Sequence, residues 1–288
     1  MPASGQFWQK VFSDIMGNRV VLIIFLFVSI QIFSQQRIIL FVNGYLGYKH
    51  DRIETDNTVT TKRKSYWYSY DDSIIARFQP VLPLYASGHH SLSTSTHRNL
   101  GRVVGSFLLS RCIPFRGKRG IFLNKRVNPE GFQKRYDSGR LCGQNFLTFV
   151  SDSLKKSTHK DTLDIVCHSM GYAYTLGILS VIDTSFVLGK ILIISPEMAG
   201  YSGYDWNKFS EVWQYGSNLG ESKADLVCLQ DGIAPQCMVK GLDVVDTAKG
   251  GRIFVPKHAK RGFNRSHHLN FFQWFFDLKK GDRGYFGR

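Results

Sequence analysis

Six short apolar runs punctuate the chain. They are 37–48 (RIILFVNGYLGY), 81–86, 163–166, 190–196 (KILIISP), 211–215 (EVWQY) and 251–256 (GRIFVP). Each is bounded by glycine, proline or polar clusters, and most are apolar throughout rather than alternating. Uninterrupted runs of this length predict strands buried on both faces of a parallel sheet. Between them stand stretches with helical spacing at 71–78, 97–111 and 144–155, then an apolar helix from Gly171 to Ser180 and another over 269–276. Strand and helix in alternation predict an α/β fold: a mostly parallel sheet with helices on both faces. At 288 residues one such domain, spanning 35–288, is the simplest count. No internal repeat or low-complexity tract interrupts it.

The stretch 163–180, LDIVCHSMGYAYTLGILS, carries the sharpest chemistry. An apolar strand ends at Cys167-His168-Ser169-Met170-Gly171 and an apolar helix begins at once. Strand, tight turn and helix form the setting in which a G-x-S-x-G nucleophile elbow acquires meaning. The turn strains the serine backbone and exposes its Oγ, so the flanking residues must be small. Gly171 meets this requirement, and Cys167 stands where glycine is usual. The helix N-terminus brings the Met170 amide and a positive dipole end to the place where an oxyanion would form.

Three further stretches bear on the same chemistry. The first apolar run ends in Asn43-Gly44-Tyr45, a turn at the edge where parallel sheets bind ligands. Loop 225–235, DLVCLQDGIAP, follows the EVWQY run and holds Asp225 and Asp231, with Asp243 beyond it. After the last strand come His258, His267 and His268, the last opening the apolar segment LNFFQWFF. Together these residues resemble the α/β-hydrolase superfamily, and its lipase-like members in particular. The resemblance covers roughly 37–48 and 162–276. It implies an α/β-hydrolase fold and a catalytic triad in the chain order Ser169, Asp231, His268. In those enzymes an early strand ends in His-Gly-x; here Asn43-Gly44-Tyr45 takes that place, so the Tyr45 amide joins Met170 in the implied oxyanion hole. Asp231, in D-G-I-A-P, resembles the acid loop of acid lipases, with Asp225 and Asp243 as alternatives. His268-Leu269-Asn270-Phe271 resembles their His-Leu-Asp-Phe run, with His267 and His258 as alternatives.

Composition adds a partner. Lysine and arginine number 37 against 22 acidic residues, a formal charge of +15. Such a charge suits nucleic acid or an anionic membrane surface. With no nucleic-acid-binding motif beside it, the expected partner is the membrane surface and not nucleic acid. The basic residues crowd into 111–140, with Phe115, Ile121 and Phe122 among them, inside an insertion over about 88–140 that resembles a cap. Gly88-His89-His90 and His97 lack fixed metal-ligand spacing. The implied chemistry calls for no metal and no organic cofactor.

Residues 1–34 form a separate segment. An apolar run at 20–33 follows Arg19 and closes at Ser34, the arrangement of a secretory signal, with a mature start near Gln35. The run is shorter than the roughly 20 residues of a membrane span. Export to the periplasm or medium is therefore expected, with a membrane anchor or a buried strand as alternatives. Five cysteines (Cys112, Cys142, Cys167, Cys228, Cys237) allow Cys228–Cys237 or Cys112–Cys142 pairing, or free thiols. The expected activity is that of a serine esterase or lipase acting on a lipid or other acyl ester. An acyltransferase on the same triad and a non-catalytic hydrolase-like protein of membrane surfaces are the alternatives.

Overall fold

The computed structural model describes residues 36–44, 57–63, 65–80, 82–89, 129–153, 160–215, 238–253, 269 and 273–277. Seven strands form one sheet: β1 (Arg37–Asn43), β2 (Val59–Thr60), β3 (Leu82–Ser87), β4 (Thr162–His168), β5 (Val187–Ile194), β6 (Glu211–Tyr215) and β7 (Gly250–Ile253). Their order is β2-β3-β1-β4-β5-β6-β7. All neighbours run parallel except β2, a two-residue strand antiparallel to β3. A general α/β fold is thus in place.

The apolar runs lack alternation because both sheet faces are covered. Ile38, Leu40 and Val42 of β1 enter one core, and Ile39 and Phe41 enter the other. Helices α2 (Pro129–Ser153) and α3 (Gly171–Ile182) supply Phe132, Phe146, Tyr172 and Leu179 to the first. Helix α1 (Tyr70–Phe78) supplies Tyr70 and Ile74 to the second, with Phe275 of the 3-10 turn Gln273–Asp277. Helices α2 and α3 approach closely. A Cβ on Gly139 would strike the Tyr174 carbonyl oxygen, and one on Gly177 would strike that of Tyr136.

Several elements depart from expectation. The helix expected over 144–155 begins at Pro129, because glycines at 131, 139 and 143 dilute the helical pattern, the last two lying where α2 meets α3. Its first half includes Lys134, Arg135 and Arg140 of the basic stretch, and Arg135 is 0% exposed, with its Nη1 donating to the Gly131 carbonyl at 3.1 Å. Part of that stretch is therefore core rather than solvated face. The expected final helix is, among the described residues, a buried Leu269 and the 3-10 turn Gln273–Asp277. Cys142 is buried in the first core. No described helix is long and apolar enough to cross a membrane. The 1–34 segment, the 97–111 helix, most of the 88–140 insertion and Cys112, Cys228 and Cys237 lie outside the described residues.

Candidate active site

Only Ser169 and Met170 separate β4 from α3, so the chain must reverse within two residues. Ser169 does so with φ 59°, a left-handed conformation that costs a side-chain-bearing residue on the order of 1–3 kcal/mol. Hydrogen bonds hold it there. Its N–H donates to the Ile194 carbonyl at 3.0 Å, and its carbonyl accepts from the Tyr172 and Glu197 amides, each at 3.2 Å.

Two glycines make room for the turn. A Cβ on Gly44 would lie 2.6 Å from the Ser169 Cβ and 2.9 Å from the Tyr66 hydroxyl. One on Gly171 would lie 2.7 and 2.8 Å from the Asn43 and Val42 carbonyl oxygens. Asn43 is buried, and its Nδ2 donates to the Gly44 carbonyl at 2.8 Å, fixing the turn that opens there.

Cys167 fills the usual glycine position by pointing into the core beneath α3. Burial pushes its thiol up to about 12, so at neutral pH it stays protonated and is a packing residue rather than a nucleophile. Met170, at the N-cap of α3, is buried beside it and places its amide at the positive end of a 12-residue helix.

The Ser169 hydroxyl donates to Glu197 Oε1 at 3.1 Å, with the two residues only 2% and 3% exposed. Glu197 follows β5 in a loop bent by two more left-handed residues, Ser195 (φ 44°) and Met198 (φ 58°). The loop is tied down by the Ser195 amide on the Tyr215 carbonyl (2.8 Å) and the Lys240 amide on the Ala199 carbonyl (3.0 Å). On the other side, the Tyr66 hydroxyl is hydrogen-bonded to His168 Nδ1. Burial holds the Tyr66 phenol far above its ordinary range. The Gly44 backbone opposes that shift, and the charge of Glu197 adds to it.

Ser169, Met170 and Gly44 thus come together at the carboxyl edge of the sheet. Tyr45, Asp225, Asp231, His258, His267 and His268 lie outside the described residues. The strands that precede them do not: β1, β6 and β7 run in the same direction as β4 and end at the same edge of the sheet. Asp243 is exposed on the 3-10 turn Leu242–Val244. Glu197 was missed, although Ser-Pro-Glu directly follows the KILII strand, where the carboxyl edge makes every loop a candidate. Among the described residues no three histidine, cysteine or acidic side chains group as metal ligands. No protein-family model, curated protein or solved structure matches the chain.

Proposed function

We propose that the protein is a serine hydrolase of the α/β-hydrolase fold that cleaves carboxylic esters, with a lipid or other acyl ester as substrate and an anionic membrane surface as its setting. One observation carries this reading: Ser169 sits strained at a two-residue strand-to-helix turn on the carboxyl edge of a parallel sheet, its Oγ hydrogen-bonded to a carboxylate. Backbone strain of this kind gathers at functional sites, which supports the reading. The antiparallel strand at one edge and the chain order of Ser169, Asp231 and His268 agree with the same fold.

In this reading Ser169 Oγ attacks the ester carbonyl carbon while its proton passes to His268. The Met170 and Tyr45 amides receive the oxyanion, and Asp231 is the acid that the sequence offers for orienting the imidazole. The imidazolium then protonates the leaving alkoxide. Water, deprotonated by the same imidazole, releases the acid from Ser169.

A fluorophosphonate probe should label Ser169 with one-to-one stoichiometry. On p-nitrophenyl esters, Ser169→Ala should lower kcat by about 10³-fold or more, and His268→Ala nearly as much. The double variant should be little worse than either, because such residues act as a unit, and His267→Ala should be mild. Full activity in Ser169→Ala, or no labelling of the native protein, overturns the reading.

A further inference from the structure

Tyr66, 102 residues before His168 in the chain, reaches the elbow from the 3-10 turn Ser65–Trp67. It is 8% exposed, and its hydroxyl is hydrogen-bonded to Nδ1 of His168, itself 3% exposed. A Cβ on Gly44 would strike the Tyr66 hydroxyl and the His168 carbonyl oxygen, both at 2.9 Å, and the Ser169 Cβ at 2.6 Å. The Tyr66 hydroxyl, the turn after β1 and the end of β4 therefore meet at one point beside the serine.

The segment that delivers Tyr66 is braced. Two left-handed residues, Tyr68 (φ 47°) and Ser69 (φ 69°), turn it into α1. Trp67 is fully buried and packs edge-on against Phe41 of β1, with ring centroids 5.1 Å apart. Arg63 and the Tyr85 hydroxyl both donate to the buried Asp71 carboxylate, at 2.5 and 2.8 Å. The direction of the bond to His168 follows from burial. A phenol in this setting keeps its proton, and a buried O–H needs an acceptor. Nδ1 supplies it, so the His168 ring is neutral with its proton on Nε2. Ser169 next to it sits at φ 59°, and a strained conformation persists only where its surroundings over-determine it.

We infer that Tyr66 is a positioning residue for Ser169: its hydroxyl donates to His168 Nδ1 and so clamps the end of β4 in the geometry that aims the serine Oγ. It exchanges no proton with the substrate and acts on Ser169 through His168. Without the clamp the strained turn can relax, and a displacement of about 1 Å at a nucleophile can cost about 10²-fold in rate.

The inference rests on the serine-hydrolase reading, and the two fail differently. Tyr66→Phe keeps the ring and removes the hydroxyl. In histidine-selective nitrogen NMR, the His168 Nδ1 resonance should move downfield in this variant, as a ring acceptor does on losing its donor. Fluorophosphonate labelling of Ser169 should slow by about 10- to 100-fold. On p-nitrophenyl esters kcat should fall alike, with KM within about threefold, since the nucleophile and not the substrate site is loosened. Tyr204→Phe loses a hydroxyl bonded to Asp183 at 3.1 Å on the other face of the sheet, and should label at the native rate.

An unmoved His168 resonance, or labelling of Tyr66→Phe within about twofold of the native rate, overturns the inference. Should Tyr66→Phe fail to fold, His168→Asn and His168→Leu decide. The asparagine offers an amide oxygen near the place of Nδ1, whereas the leucine is of similar size with no acceptor. Labelling at least about tenfold faster in the asparagine variant upholds the clamp, and equal rates overturn it. Native protein that takes no label at Ser169 defeats the hydrolase reading instead, while the resonance still reports whether Tyr66 holds His168.

Discussion

At the scale of single residues, the turn after β4 shows how two neighbours of similar chemistry are given different work. Cys167 and Ser169 are two positions apart, yet one side chain enters the core and the other meets Glu197 at the sheet edge. The thiol is the intrinsically better nucleophile, but only as thiolate, and burial withholds that form. The folded state keeps the Cys167 proton up to about pH 12, while the unfolded chain releases it near the ordinary value of 9.0. The thiol's contribution to stability is therefore intact below pH 9 and declines above it, at about 1.4 kcal/mol per pH unit until the folded group titrates. Denaturant melts at pH 8 and pH 10 should show a larger loss for the native protein than for Cys167→Ala. Iodoacetamide at pH 8 should leave Cys167 unmodified until the protein unfolds.

At the scale of elements, the pair α2 and α3 sets the height of the floor beneath the elbow. Helix α3 is buried along nearly its whole length, between the sheet on one side and α2 on the other. Its approach to α2 depends on Gly139 and Gly177, each against a backbone carbonyl of the opposite helix. Backbone cannot swing aside as a flexible side chain does, so an added methyl must push the helices apart. Gly177→Ala should therefore destabilise the protein by about 1–3 kcal/mol despite the better helix propensity of alanine, measurable as a lower denaturant midpoint. A midpoint equal to or above that of the native protein would show that the helices can separate at no cost. Because α3 carries Met170 at its N-terminus, the same variant should also slow fluorophosphonate labelling of Ser169.

At the scale of the whole molecule, the excess of basic over acidic residues is a property of the surface field rather than of the fold. Burial of Arg135 shows that part of the basic stretch was recruited to packing. The proposed membrane role therefore falls to the cations before the helix. Charge reversal at Arg116, Lys118 and Arg119 should weaken binding to vesicles containing anionic lipid, by about 1 kcal/mol or more per reversed charge. Added salt should mimic the effect, because exposed charges are screened within about 10 Å at 0.1 M. Hydrolysis of a soluble short-chain ester should hardly change. Equal loss on both substrates would mean that the segment shapes the site instead.

What the sequence determined by itself was whatever local spacing encodes. Runs rich in Val, Ile and Leu marked β1, β4 and β5 because a strand covered on both faces has little polar alternation to show. The Cys-His-Ser-Met-Gly turn marked Ser169 because strand, turn and helix there are adjacent in the chain. Helix α2 was legible only in its second half, since the glycines that bring it onto α3 look like helix breakers until the partner helix is known. Glu197 was decided by tertiary structure alone. It lies 28 residues from Ser169, and nothing in Ser-Pro-Glu says that β5 stands beside β4 or that the loop bends back onto the serine. Tyr66, 102 residues from His168, came to the site in the same way. Local spacing marks the serine at the turn; only the order of strands in the sheet decides which distant side chains touch it, because pairing between strands is set by contacts across the chain and not along it.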